Sequence, residues 1–121
     1  MDRFWAGLGA VSAFLAVALG AFGAHGLKTR VEPDLLQVFE TGVRYHMYHS
    51  LGLFVVALLS GQGLPVKGAG WAMVVGIALF SGSLYALTLS GVRVLGAITP
   101  FGGVAFLLAW GWLAWACLSK P

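Results

Sequence analysis

Residues 40–66 read ETGVRYHMYHSLGLFVVALLSGQGLPV, from Glu40 to Val66. The stretch changes character within a few residues. Glu40, Arg44, Tyr45, His46, Tyr48 and His49 supply a carboxylate, a guanidinium, two phenols and two imidazoles, yet Tyr45 to Val66 holds no Asp, Glu, Lys or Arg. A charge-free run of this length exceeds the ~18 apolar residues that make a stretch a candidate membrane span. Ionisable groups at its start are costly in lipid, so they face protein or water and often mark function.

The same punctuation recurs along the chain. Of 121 residues, 60% are hydrophobic and 9% charged, far below the quarter or so of charged residues in a soluble domain. The charges separate four runs: Phe4–Leu27, Tyr45–Val66, Gly68–Val92 and Val94–Ser119. Backbone groups in hydrocarbon must satisfy one another, and runs this long do so as helices. The sequence therefore predicts an all-α membrane protein, a compact bundle of four transmembrane helices in one integral membrane domain over residues 1–121. The helices are expected at about 4–24, 33–60, 70–90 and 100–118. The first run is longer than the ~7–15-residue core of a secretory signal and Asp2 offsets Arg3, so an uncleaved first span is expected.

Local signals set the ends. Gly9, Ala13, Ala16, Gly20, Gly23 and Ala24 recur at three- and four-residue steps, a face on which helices approach closely in lipid. Thr29 and Glu32 have capping-box spacing, with Pro33 suited to a first helical turn. A helix from Pro33 to Ser60 would be ~40 Å long, more than a ~30 Å hydrocarbon core, so Pro33 to Arg44 forms an interfacial helical segment. Thr99 and Pro100 read as an N-cap followed by a proline at the first helical position. Trp5, Trp71, Trp110, Trp112 and Trp115 lie towards helix ends, as an interfacial belt would.

Four helices with short links alternate in direction. Lys28, Arg30, Arg44 and Arg93 then share one membrane side, and Arg3, Lys67 and Lys120 the other. That margin leans only slightly towards a cytoplasmic 25–44 side. The net charge of +3 comes without a basic stripe, so nucleic acid is not an expected partner; the lone Cys117 excludes an intramolecular disulfide.

Alternation also gathers the polar candidates at one boundary: His25, Glu40, Arg44, Tyr45, His46, His49, Ser81, Tyr85 and Thr99. At 100° per residue Glu40, Arg44 and Tyr48 form one stripe, while Tyr45, His46 and His49 project from the opposite face. Glu40 and Arg44 stand at ion-pair spacing. The pair reads either as charge neutralisation at the interface or as an anion or headgroup site in which Glu40 orients Arg44. His46 and His49 with His25 are conceivable metal or haem ligands, but no carboxylate set or His-Glu-x-x-His pattern accompanies them. Neither metal nor cofactor is expected, and no catalytic residue can be assigned. Ser81, Tyr85 and Thr88 share a helix face suited to bonding across to a neighbour.

Four blocks occur in a telling order: Gly20–Leu27 (GAFGAHGL), Thr41–Ser50 (TGVRYHMYHS), Phe80–Tyr85 (FSGSLY) and Gly96–Gly103 (GAITPFGG). Together they resemble a small bacterial inner-membrane family, domain of unknown function 423, whose eukaryotic relatives are called transmembrane protein 256. The resemblance spans nearly the whole chain and implies a multi-pass inner-membrane protein. It supplies no activity, cofactor or catalytic residue to carry over. It places His25, Tyr45, His46, His49, Ser81, Tyr85, Thr99 and Pro100 inside its signature blocks.

Three functions compete on this reading. The first is a non-enzymatic module whose polar boundary pocket binds a small ligand, ion or lipid headgroup, with transport as one use. A transport path through so short a chain would need several copies to assemble. The second is a structural or accessory subunit of a larger membrane complex, or one that associates with itself, and the third a histidine-dependent membrane enzyme or redox carrier.

Overall fold

A computed structural model describes residues 1–119, so Lys120 lies outside the described residues. Among them there are helices and no strands. Helix α1 (Arg3–Phe22) runs on through a π-helical turn, Gly23–Leu27. Helix α2 spans Pro33–Gly61. Helix α3 (Lys67–Gly76), a second π turn (Ile77–Ser81) and α4 (Gly82–Ser90) form one continuous rod. A 3-10 segment, Arg93–Ala97, leads into α5 (Thr99–Leu118).

The caps differ in part from the sequence pattern. Asp2 caps α1, its carboxylate accepting from the Phe4 N–H at 3.1 Å. Pro33 opens α2, but Glu32 is itself the cap residue and makes no side-chain capping bond, so the Thr29–Glu32 box does not form. Ile98, not Thr99, occupies the N-cap of α5. Thr99 is the first helical residue, and its hydroxyl turns to α4 instead, 2.6 Å from that of Ser83. Gly91 closes α4 at φ +74°, a left-handed conformation glycine adopts without a Cβ clash.

Small residues set the packing, because they let helix backbones approach closely. A Cβ on Gly9 would stand 3.0 Å from the Phe54 ring, one on Gly20 3.3 Å from Val43, and one on Gly23 3.0 Å from Phe39. As the α1 number rises the α2 number falls, so the two helices run antiparallel. Gly52 against Met73 and Gly42 against Tyr85 set α2 antiparallel to the α3–α4 rod. Gly68 against Trp112, and Gly76 against Phe106, do the same for that rod and α5.

Trp5 is not part of an interfacial belt. It is only 2% exposed and packs over Gly70, in edge contact with Trp71. The space vacated by Gly70 admits the indole between α1 and α3. Trp71, Trp110, Trp112 and Trp115 are exposed.

Three helical stretches are long and apolar enough to cross a membrane: Arg3–Leu27, Lys67–Ser90 and Arg93–Leu118. The expected fourth, α2, does not reach that standard. Its middle carries Tyr45, His46, Tyr48, His49 and Ser50, and its apolar half begins only at Leu51.

Candidate functional site

The polar half of α2 is buried against its neighbours. His46 and His49 are 5% and 4% exposed and Ser50 is fully covered. Three residues apart, the two imidazoles point to different partners. His46 faces α1 and α4, and His49 faces α5.

Hydrogen-bond bookkeeping fixes where the protons of the first cluster sit. The Ser50 hydroxyl donates to the His46 carbonyl at 2.8 Å, which uses its one hydrogen. Ser12 on α1, 2.6 Å from the Ser50 oxygen, must then be the donor to it. His46 Nε2, 3.1 Å from Ser12 Oγ, therefore carries a hydrogen and donates. Nδ1 of the neutral ring is left to accept from the Tyr85 hydroxyl at 2.9 Å. The chain runs from Tyr85 through His46, Ser12 and Ser50 back to the backbone of His46. It is a clasp joining three helices, anchored at one end on the Tyr85 hydroxyl and at the other on a backbone carbonyl.

His49 has the opposite tautomer. Its Nδ1–H donates to the Tyr45 carbonyl at 2.7 Å, and its Nε2 accepts from the Trp110 indole N–H at 3.1 Å. A carbonyl can only accept and an indole N–H can only donate, so the assignment is unique and the ring is neutral. The ring stacks on Phe106 with centroids 3.5 Å apart and planes within 6°.

Hydroxyls tie the α4 rod on both sides. Ser81 donates to the Gly42 carbonyl at 2.7 Å and Thr88 to the Leu35 carbonyl at 3.2 Å. Ser83 donates to Phe80 O, a carbonyl in the π turn, at 2.9 Å, which leaves Thr99 to donate to Ser83. Among the described residues no buried side-chain polar atom lacks a partner.

The candidates named from sequence thus divide. Tyr85 and His46 meet directly, and Ser81 and Thr99 serve neighbouring contacts. Tyr45 lends its carbonyl to His49, and its half-exposed ring packs against Phe80. His25 does not join them. It is exposed on the first π turn, about 20 Å along α1 from Ser12 at 1.5 Å per residue. Glu40 and Arg44 are exposed, and the ion pair expected between them is absent: among the described residues the ion pair is Asp34–Arg93 at 2.9 Å. That bond holds the Asp34 carboxyl below its ordinary range. No group of three His, Cys, Asp or Glu among the described residues is placed to hold a metal.

The candidate set lacks Ser12, Ser50, Phe106 and Trp110, the last expected only in the interfacial belt. Ser12 had a usable signal, a lone hydroxyl inside a charge-free run on the same face as Gly9 and Ala16. Phe106 and Trp110 had none, because their role depends on which helix α5 packs beside.

Two apolar grooves flank the histidines. One, of about 450 Å³, is walled by Tyr45, Tyr48, His49, Phe80, Phe106 and Trp110, with Gly103 leaving its floor bare. The other, of about 310 Å³, lies between α1 and α3 and has Ser12 and His46 on its wall among Leu8, Val11 and Ile77. The second π turn separates them, lending Phe80 to the first and Ile77 and Ala78 to the second.

Residues 19–103 match the family model described as "Protein of unknown function (DUF423)". The chain is 61% identical over 107 residues to the UPF0382 membrane protein YwdK of Bacillus subtilis (strain 168), covering 85% of this chain and 86% of that protein. It is 51% identical over 104 residues to a UPF0382 membrane protein of Staphylococcus epidermidis (strain ATCC 12228 / FDA PCI 1200), covering 85% of each. The UPF0382 membrane protein SAB0533 of Staphylococcus aureus (strain bovine RF122 / ET3-1) is 48% identical over 104 residues, again covering 85% of both chains. No solved structure matches.

Proposed function

Because the chain belongs to the DUF423 family of unknown function, with bacterial membrane proteins as relatives, we propose that it is a non-catalytic, four-span module of the inner membrane that binds a small amphiphile from the bilayer. In this reading α2 is the fourth span. Its histidines and Ser50 cross the hydrocarbon layer because α1, α4 and α5 satisfy them, while Pro33 to Arg44 stays at the boundary.

The observation that carries the reading is the aromatic groove of about 450 Å³ between α2, the second π turn and α5. Concave, mostly apolar sites with a few polar groups are the usual form of small-ligand pockets. Tyr45 and Tyr48 stand at its edge, and their hydroxyls make no hydrogen bond among the described residues. An apolar chain or flat ring would lie along Phe80 and Phe106, with its acceptor oxygen at the tyrosines. Both histidines already have their partners, which favours binding over proton or metal chemistry.

Gly103 gives the test. A Cβ there would meet nothing within 4 Å, so Gly103→Leu starts its side chain in open space on the wall of the groove. Thermal unfolding in detergent would be followed while fatty acids, monoacylglycerols and benzoquinones are titrated in. The wild type should show a saturable rise in midpoint with at least one class, since a ligand held only by the folded state stabilises it. Gly103→Leu should keep the ligand-free midpoint and lose the rise. No saturable rise in the wild type, or an undiminished one in the variant, rejects the reading.

A further inference from the structure

A third groove, of about 330 Å³, lies on another side of α2, between it and α1. Gly20 and Gly23 leave one wall without side chains, Phe39 and Val43 form its floor, and Glu40 and Arg44 stand over it. Both charged residues are exposed, they make no ion pair with each other, and neither has a hydrogen-bond partner among the described residues. They stand one turn apart on a single helix face, a spacing that allows an opposite-charge pair to join but only weakly favours it.

Their depths are ordered. The Pro33 end of α2 carries the charges of the boundary, Asp34 bonded to Arg93. At 1.5 Å per residue Glu40 stands about 10 Å along the helix from Pro33, and Arg44 about 6 Å further in. Gly23 packs against Phe39 and Gly20 against Val43, so the glycine wall lies beside this step. An uncompensated guanidinium at that depth is costly unless it finds an anion, and the anions of this layer are lipid phosphates.

We propose that Glu40 and Arg44 clasp a zwitterionic phosphoethanolamine lipid headgroup, with an acyl chain seated in the groove opened by Gly20 and Gly23. In such a lipid the phosphate is fixed on the glycerol side and the ammonium follows it after a two-carbon link, so a headgroup standing along α2 places the phosphate deeper than the ammonium. The guanidinium is the deeper residue and suits the phosphate, with two N–H groups available to two oxygens. The carboxylate is the outer one and suits the ammonium, which has three N–H donors. Charge and depth therefore match one headgroup order. Phosphatidylglycerol offers the phosphate but sets no cation against Glu40. Phosphatidylcholine offers a cation with no N–H to give. The site is separate from the aromatic groove, so its failure leaves the amphiphile reading standing, and the reverse.

The test titrates phosphatidylethanolamine, phosphatidylglycerol and phosphatidylcholine of one acyl composition into the detergent-purified full chain, reading the unfolding midpoint. The wild type should respond to phosphatidylethanolamine at the lowest concentration. Arg44→Gln should need about tenfold more of it for the half-maximal shift, the loss expected for one charge-assisted contact. Glu40→Gln should exchange the preference, weakening phosphatidylethanolamine and strengthening phosphatidylglycerol as the carboxylate's repulsion is removed. Arg44→Lys keeps the cation and should fall between wild type and Arg44→Gln. Both positions are exposed, so the ligand-free midpoints should stay at the wild-type value. Equal response of the wild type to the three lipids, or an unchanged order in Glu40→Gln, overturns the proposal. Gly103→Leu should leave this lipid order untouched.

Discussion

Nδ1 of His46 and the hydroxyl of Tyr85 stand 2.9 Å apart, the first link of a hydrogen-bond loop that closes on His46's own carbonyl through Ser12 and Ser50. In the proposed four-span arrangement no solvent could replace a lost partner in that loop. The same loop joins α1, α2 and α4, so polar residues that make α2 a poor span by composition also attach it to its neighbours.

Removing one link should cost more than an average interhelical hydrogen bond. Tyr85→Phe keeps the ring that packs on Phe39 but leaves His46 Nδ1 without a donor. We expect a loss of about 1–2 kcal/mol in folding stability, measured by denaturant titration in mixed micelles. Ser12→Ala, which unpairs His46 Nε2–H, should cost a similar amount. Because both act on one imidazole, their combination should depart from the sum by about 0.5 kcal/mol or more. Strict additivity would show that the loop is not a unit.

The two histidines should be neutral and of opposite tautomers in the folded protein. Ring ¹⁵N chemical shifts of histidine-labelled protein in micelles at pH 7 should show a protonated Nε2 at His46 and a protonated Nδ1 at His49. Trp110→Phe removes the donor to His49 Nε2 and should change the His49 signals while sparing those of His46. Matching tautomers at the two sites would contradict the assigned donors and acceptors.

Some of this was written in the chain and some was not. Helices follow from charge-free runs because backbone groups in lipid have only one another, and the polar character of residues 40–49 is legible at once. Pairing is not. The angle of 100° per residue puts His46 and His49 on one side of α2, yet one turns to Tyr85 and the other to Trp110, which depends on where α4 and α5 pack. His25 looked like their companion because alternation brings its end of α1 to the same boundary. Alternation fixes the end of the bundle, not the depth or the facing direction. Likewise i,i+4 spacing allowed Glu40 and Arg44 to pair, and spacing alone does not make two exposed side chains meet.

Adjacent glycines on α5 should respond in opposite directions. A Cβ on Gly102 would run into the backbone N and Cα of Phe80, atoms held by the π turn, so α5 would have to move away. Gly102→Ala should destabilise by about 1–3 kcal/mol, as overpacking does. Gly103→Ala meets nothing within 4 Å and should be neutral or stabilise by up to about 1 kcal/mol through helix propensity. Guanidinium or sodium dodecyl sulfate titration of the two variants decides it. Comparable losses at both positions would mean that the close approach of α5 to Phe80 is absent in the membrane.

Acid should weaken the link between the start of α2 and the segment before α5. Asp34 accepts from Arg93 at 2.9 Å, and this hydrogen bond, more than the charge attraction, lowers the folded-state pKa of the carboxyl. A carboxyl whose pKa is lower folded than unfolded contributes stability that is fully present above the unfolded value, about 3.9, and is lost as pH falls through the folded one. Both side chains are exposed, so the effect is small and weakened by salt. Its signature is the pH course. The difference in unfolding midpoint between wild type and Asp34→Asn should hold steady from pH 7 to about pH 5 and shrink below about pH 4. In Arg93→Gln the same Asp34→Asn change should make a smaller difference, since only the backbone N–H groups of Asp34 and Leu35 still favour the carboxylate. A wild-type difference that grows on acidification would have the wrong sign for a carboxylate held by Arg93, and would place the stabilising contact elsewhere.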